Sequence, residues 1–200
     1  RVIEATKIAW RAKTKGDMFQ SVETSLRALE TDYIDVIQLH GLSSRERIYE
    51  PGMRESLLTL RKQGKVRFFG VTTHTNEAEV VNALVDDPDR FFDMALVKYN
   101  FRSGDDTKQA IARAARAGIG IVAMKTQAGG YKTDALGPIS PHQAALKWAL
   151  ADRNVTAAIP GMRDMAELRE DIAVMGMRLT LADGLILRWY GAAVAPHYCH

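Results

Sequence analysis

Titratable and polar side chains follow the apolar runs of this sequence, and their types suit acid–base chemistry. His40 comes directly after the apolar run 33–39 and before Gly41, and Lys7 ends an earlier β-rich run in the same way. An imidazole exchanges protons near neutral pH, and an ammonium group lowers the pKa of a neighbouring proton donor. A histidine buried and hydrogen-bonded in a core fits the stretch around His40 equally well, so the choice depends on the rest of the chain.

The runs that precede these side chains alternate with helical patterns. Six strands are predicted, over residues 2–8, 33–39, 65–72, 92–100, 119–124 and 155–159, and a helix follows each one. The helix ends carry ordinary signals: Asp17 and Asp164 as N-caps, Ser140 before Pro141, and Gly64 as a C-cap glycine. Thr180 and Asp183 resemble a capping box that begins a last helix. Repeated strand–helix units predict an α/β fold with a parallel sheet.

Two arrangements fit this alternation, a doubly wound sheet and a (β/α)₈ barrel. No glycine-rich fingerprint follows the first strand, as it would in a dinucleotide-binding doubly wound fold. Polar residues also end strand after strand, which is the habit of barrels. They are Lys7, His40, Thr72, Thr73, His74, Asn100 and Lys125. The barrel is therefore favoured, with His74 interpreted as a loop residue.

Several stretches resemble the strand signatures of one enzyme family, the aldo/keto reductases. Residues 25–40, SLRALETDYIDVIQLH, resemble the fourth-strand signature, and residues 64–72 resemble the fifth. Residues 97–100 resemble the sixth strand, and residues 159–163 with Glu170 and Asp171 resemble the eighth. The resemblance implies a (β/α)₈ barrel that uses NADPH to reduce aldehydes and ketones.

The number of units predicts that the chain is a fragment of such a barrel. Six units, corresponding to strands 3 to 8, are two short of eight, and a barrel takes about 250 residues. We expect the missing units before Arg1. The partial barrel domain is expected over residues 1–195, with residues 196–200 as the start of a C-terminal extension. Some relatives continue there into an iron–sulfur segment that opens with a Tyr-Cys pair, as at Tyr198 and Cys199.

The resemblance assigns two catalytic residues, Lys7 and His40. In the family, a tyrosine gives its proton to the carbonyl oxygen, a lysine paired with an aspartate lowers the pKa of that tyrosine, and a histidine polarises the carbonyl. Lys7 matches the lysine and His40 the histidine. The tyrosine and the aspartate are expected before Arg1, because Tyr33 lies inside the predicted strand and not at its carboxyl end.

The resemblance also implies a set of NADPH contacts. Thr72 and Thr73 stand where the family holds the carboxamide, and Lys125 is expected to meet the pyrophosphate. Arg163, after Gly161 and Met162 at a helix start, is expected to bind the 2′-phosphate. The full set is Thr72, Thr73, Asn100, Lys125, Gly161, Met162, Arg163, Glu170 and Asp171. No metal ligand is predicted.

Composition limits the other classes of function. The net charge is +3 and the pI near 9.0, but no basic tract with interleaved aromatic residues supports nucleic-acid binding. No apolar run reaches the roughly 20 residues that span a bilayer. The single cysteine, Cys199, is compatible with a cytoplasmic protein. The expected partner is a small carbonyl compound.

Two alternatives to a reductase also fit parts of the sequence. One is a regulatory or sensor subunit that keeps the barrel and binds nicotinamide with little turnover. The other is an unrelated, metal-dependent barrel enzyme, which is disfavoured because no His-x-His or carboxylate pair ends any strand.

Overall fold

Six parallel strands form one curled sheet in the computed structural model, which describes residues 2–129 and 139–194. The strands are β1 Ala5–Ile8, β2 Ile34–Leu39, β3 Val66–Thr73, β4 Met94–Lys98, β5 Gly120–Met124 and β6 Ala157–Ile159. Each strand pairs in parallel with the next one along the chain. The predicted architecture is confirmed: the six strands form a curled, partial (β/α)₈ barrel.

Helices connect and follow these strands. They are α1 Lys15–Leu29, α2 Pro51–Lys62, α3 Glu77–Asp86, α4 Asp105–Arg116, α5 Pro141–Ala151, α6 Met165–Ile172 and α7 Leu181–Val194, and a 3₁₀ turn at Glu46–Tyr49 precedes α2. None of the helices in the described ranges is long and apolar enough to cross a bilayer.

One face of the sheet packs against the helices and forms the core. Ile37 of β2 pairs with Phe69 of β3, and Val71 with Ala95 and then Ile121 along the sheet, so these side chains share one face. All five are buried in the main hydrophobic cluster. Burying a large apolar side chain stabilises a fold by about 1.5–3 kcal/mol. The polar strand ends are therefore carried on a rigid support.

The opposite face is the inward face of the curled sheet. Gln38, Gly70 and Met94 are paired across β2, β3 and β4, so they form one layer on this face. A Cβ atom at Gly70 would lie 2.6 Å from Met94 Sδ and 3.1 Å from Gln38 Cγ. A larger residue at position 70 would displace both side chains. Phe68, two residues earlier on the same face, is 50% exposed.

The helix ends mostly follow the sequence signals. Ser140 and Asp164 cap α5 and α6 as predicted, through bonds from backbone N–H groups to their side chains. The prediction of Asp17 as the N-cap of α1 is wrong. Thr14 is the N-cap, and Asp17 is the third helical residue of a capping box, accepting from the Thr14 N–H. Both residues bond to each other's backbone, so α1 begins three residues earlier than the aspartate suggests.

Candidate functional site

The structure places Lys7 and His40 on neighbouring strands at the same end of the sheet. Lys7 in β1 pairs with Gln38 in β2, and residues two apart in a strand point to the same face. Because His40 directly follows β2, its side chain lies on the inward face, one step nearer the carboxyl edge than Gln38. The side chains of Lys7 and His40 have no hydrogen-bond or ion-pair partner among residues 2–129 and 139–194. Both groups are therefore available to a ligand.

Four more charged or titratable groups gather at this carboxyl edge. Lys98 ends β4 on the inward face, and its Nζ lies 2.9 Å from Oε1 of Glu77, the first residue of α3. His74 follows β3, and Lys125 follows β5 with an exposed side chain. Lys125 has φ of +56°, a left-handed conformation that side chains other than glycine rarely adopt.

The electrostatics of this edge show in the pKa of His74. Burial lowers the pKa of the His74 imidazole below 6.5, and the charges of Lys125, His40 and Lys98 lower it further, whereas Glu77 raises it. His74 is thus held as a neutral imidazole at neutral pH. His74 lies in the loop after β3, as the sequence suggested, and this loop belongs to the carboxyl edge.

Glu77 and Lys98 were not predicted as members of this edge, whereas His74 was named among the polar residues that end strands. The sequence does not show the phase of Lys98, because residues 94–97 are all apolar. Only the pairing of β4 shows that Lys98 shares the inward face with Met94 and Leu96.

Three of the predicted cofactor contacts are bonded to the backbone around them. The Thr72 hydroxyl accepts from the Gly41 N–H at 2.8 Å, and the Thr73 hydroxyl donates to the Thr75 carbonyl at 2.7 Å. The Asn100 amide donates to the Lys125 carbonyl and accepts from the Arg102 N–H, each at 3.0 Å. These residues hold the loops at the carboxyl edge, and Thr73 lies on the helix-facing side of β3 because it pairs with Val97.

The turn after β6 is exposed and carries Gly161, Met162 and Arg163. The Arg163 guanidinium donates to Glu167 Oε1 from Nε at 2.9 Å and from a terminal nitrogen at 2.6 Å. The Arg163 backbone N–H also donates to Glu167 Oε2 at 2.7 Å. The Arg163 guanidinium, which was predicted to bind a phosphate, is therefore paired with the Glu167 carboxylate one helical turn away.

A second polar group lies where the ends of β5 and α6 approach each other. Gln127 donates to Asp171 Oδ1 at 2.7 Å, and the Ser140 hydroxyl donates to Glu170. Asp171 Oδ2 and the Thr126 hydroxyl are buried and have no hydrogen-bond partner in the described ranges. Burial raises the pKa of the Asp171 carboxyl, and the neighbouring Glu170 raises it further.

These two buried oxygens fit the predicted cofactor. A carboxylate oxygen accepts from an amino group such as that of adenine, and a hydroxyl can donate to a phosphate oxygen. Asp171, Glu170 and Thr126 would hold the adenosine end, on the side of the sheet away from Lys7.

None of the four described tyrosines stands at the carboxyl edge as a proton donor. The Tyr99 hydroxyl donates to Asp152 Oδ2 at 2.7 Å. Burial, together with this hydrogen bond, raises the pKa of Tyr99 well above its usual range. Tyr49 donates to the Ala83 carbonyl, Tyr190 bonds to the Gln127 and Gly129 carbonyls, and Tyr33 lies under the Arg67 guanidinium. Tyr99 is therefore a core residue.

Comparison with known proteins connects this chain to one family. The sequence pattern of the aldo/keto reductase family matches residues 1–136. The chain is also similar to L-galactose dehydrogenase of Arabidopsis thaliana, at 22% identity over 185 residues. That match covers 78% of this chain and 57% of the relative, so the chain spans little more than half of the relative's length.

Solved structures share the fold. An aldo-keto reductase from Bacillus halodurans, in its holo form, superposes with a TM-score of 0.72 at 20% identity, covering 94% of this chain and 71% of that one. An aldo-keto reductase described as putative, from Pseudomonas aeruginosa, gives a TM-score of 0.65 at 23% identity, covering 87% of this chain and 66% of that one.

Proposed function

The chain belongs to the aldo/keto reductase family, and on that premise we propose that its protein uses NADPH to reduce aldehydes or ketones to alcohols. The observation that carries the proposal is the placement of Lys7 and His40. They lie on neighbouring strands, on the inward face, at the carboxyl edge where barrel enzymes keep their active sites.

Each of the two residues has a distinct task. His40 donates a hydrogen bond to the carbonyl oxygen and orients it, so that negative charge developing on that oxygen is stabilised. The Lys7 ammonium favours the ionised form of a nearby phenol, which makes proton donation possible near neutral pH. We propose that this phenol comes from outside the described residues, because the tyrosines within them are engaged elsewhere.

The reduced nicotinamide supplies the hydride when the cofactor is bound. We propose that the chain holds this cofactor along the carboxyl edge, with Thr72, Thr73 and Asn100 shaping the pocket for its nicotinamide end. Lys125, Gly161, Met162 and Arg163 are proposed for its phosphates, and Glu170 and Asp171 for its adenine. The buried oxygens of Asp171 and Thr126 support the adenosine end.

A nicotinamide-binding regulatory subunit is the second candidate, and one observation favours it. The described residues provide the lysine and the histidine but no tyrosine at the carboxyl edge. Such a protein would bind NADPH without turning over a carbonyl compound.

An isotope experiment separates the two. The complete protein is incubated with NADPH carrying deuterium at the transferable position and with a panel of aldehydes. A reductase delivers deuterium to the alcohol carbon, as seen by mass spectrometry. Saturable NADPH binding by fluorescence without any labelled alcohol would favour the regulatory subunit and refute the reductase.

A further inference from the structure

The pair of Lys98 and Glu77 has a placement that the proposed reaction does not use. Lys98 ends β4 in the same phase as Leu96 and Met94, so it faces inward at the carboxyl edge. Its Nζ lies 2.9 Å from Glu77 Oε1, and the two side chains are 21% and 13% exposed. Lys98 is therefore largely shielded from water although it faces the site, and Glu77 fixes the position of its ammonium group.

The charges around this pair favour an anion. Three cationic or titratable groups, Lys125, His40 and Lys98, lower the pKa of His74, and only Glu77 among the charged groups that act on it raises it. An edge with an excess of positive charge raises the local concentration of anionic ligands. An ammonium group has three N–H donors, so Lys98 can bind an anionic ligand in addition to its protein partners, of which Glu77 is one.

The distance from Lys98 to His40 suits two groups of one small molecule. Their strands, β2 and β4, are separated by β3 alone, which sets the two backbones about 10 Å apart. A lysine side chain is long enough to close part of such a gap. A carbonyl group placed at His40 would leave the far end of its molecule near Lys98.

We infer that Lys98 determines specificity, by binding an anionic group, a carboxylate or a phosphate, on the far end of the carbonyl substrate. The inference rests on the proposed reductase function for its substrate. Glu77 is a positioning residue, which orients the ammonium group and keeps it from turning to solvent.

The test compares two substrates that differ only in charge. The complete protein is assayed with 3-carboxybenzaldehyde and with its methyl ester, in the wild type and in Lys98→Met. Lys98→Arg keeps the charge, and Lys62→Met, at an exposed site on α2, is the matched control. Because Lys98→Met leaves the Glu77 carboxylate without its cation, the double variant Glu77→Gln/Lys98→Met guards against misfolding.

The wild type should favour the acid over the ester in kcat/KM by about tenfold or more, the range for a charge-assisted contact. Lys98→Met and the double variant should remove that preference, whereas Lys98→Arg and Lys62→Met should keep it. An absence of preference in the wild type, or an equal loss on both substrates, would overturn the inference. An equal loss accompanied by weaker NADPH binding would assign the contact to a cofactor phosphate instead.

Calorimetric titration with benzoate separates this inference from the proposed function. If no aldehyde is reduced, the reductase proposal fails, but benzoate binding that is lost in Lys98→Met still supports the anion site. Benzoate binding that is absent, or equal in both proteins, refutes the anion site whatever the turnover.

Discussion

Glu167 controls how much of the Arg163 charge is available to a ligand. Three hydrogen bonds join the two residues across one turn at the start of α6, and the Arg163 side chain is 79% exposed. A phosphate that binds Arg163 must compete with this carboxylate. If Arg163 binds the 2′-phosphate as proposed, the choice between NADPH and NADH depends on the pair and not on the arginine alone.

Arg163→Ala should weaken NADPH binding by about 1–3 kcal/mol and leave NADH binding unchanged, because only NADPH carries the 2′-phosphate. Glu167→Gln should tighten NADPH binding by up to about fivefold, the size of an exposed ion pair. Fluorescence titration of both cofactors measures this, with Arg169→Ala on the same helix as the control. Equal changes for the two cofactors would show that Arg163 does not contact the 2′-phosphate.

Asp171 is a second residue whose charge matters, because it is buried and its Oδ2 has no hydrogen-bond partner among residues 2–129 and 139–194. Its pKa in the folded protein lies above the ordinary value of 3.8, chiefly because of burial. The folded state therefore binds this proton more tightly than the unfolded state. The resulting contribution to stability is present at low pH and is lost as the pH rises through the raised pKa.

Asp171→Asn should stabilise the protein at neutral pH by roughly 1–3 kcal/mol, since it removes a buried charge and keeps an acceptor for Gln127. The gain should shrink as the pH falls towards 3.8, where the wild-type carboxyl becomes protonated. Urea unfolding at several pH values measures it. A gain that does not vary with pH would mean that ionisation of Asp171 is not its cause.

At the scale of the element, α2 shows two glycines with opposite conformational demands. Gly64, just after the helix, has φ of +75°, and its N–H donates to the Arg61 carbonyl. Gly52 lies in the first turn of α2 and has no such conformation. An added Cβ would meet no atom within 4 Å at either position. The two sites therefore differ in backbone conformation and not in packing.

Gly64→Ala should destabilise the protein by about 1–2 kcal/mol, the cost of a left-handed residue that carries a Cβ. Gly52→Ala should stabilise it by about 0.5–1 kcal/mol, because alanine is the better helix residue. The free energies of unfolding in urea give both values. The same sign for both substitutions would contradict the assigned cap geometry.

The elements were predictable from sequence wherever a local signal acts alone. Gly64 after α2 and Ser140 before Pro141 are confirmed, because each cap depends on one residue and its near neighbours. The N-cap of α1 was predicted at Asp17 and lies at Thr14, because in a capping box both residues bond to each other's backbone. The strand over residues 2–8 begins only at Ala5, where pairing with β2 starts.

At the scale of the molecule, the partial barrel could be predicted from the alternation of six strands with helices. The residues on the inward face of the site could not be predicted in the same way. Which residues face inward depends on the phase of each strand, and a shift of one residue moves every side chain to the opposite face of the sheet. Thr72 and Thr73 looked equivalent in sequence, but Thr72 pairs with Leu96 on the inward face and Thr73 with Val97 on the other. The ion pair of Lys98 and Glu77 joins β4 to α3, so no local sequence pattern predicts it.

The most direct test of the account asks whether Lys7 acts in catalysis. In the complete protein, Lys7→Met is compared with Lys13→Met, an exposed lysine six residues along, by aldehyde-dependent oxidation of NADPH. NADPH affinity and thermal unfolding are measured on the same samples to show that each variant is folded. Lys7→Met should lower kcat by about 10²–10⁴-fold, the usual share of general-acid catalysis, and Lys13→Met should match the wild type. A folded, NADPH-binding Lys7→Met variant with wild-type turnover would contradict the assignment of the active site to the carboxyl ends of β1 and β2.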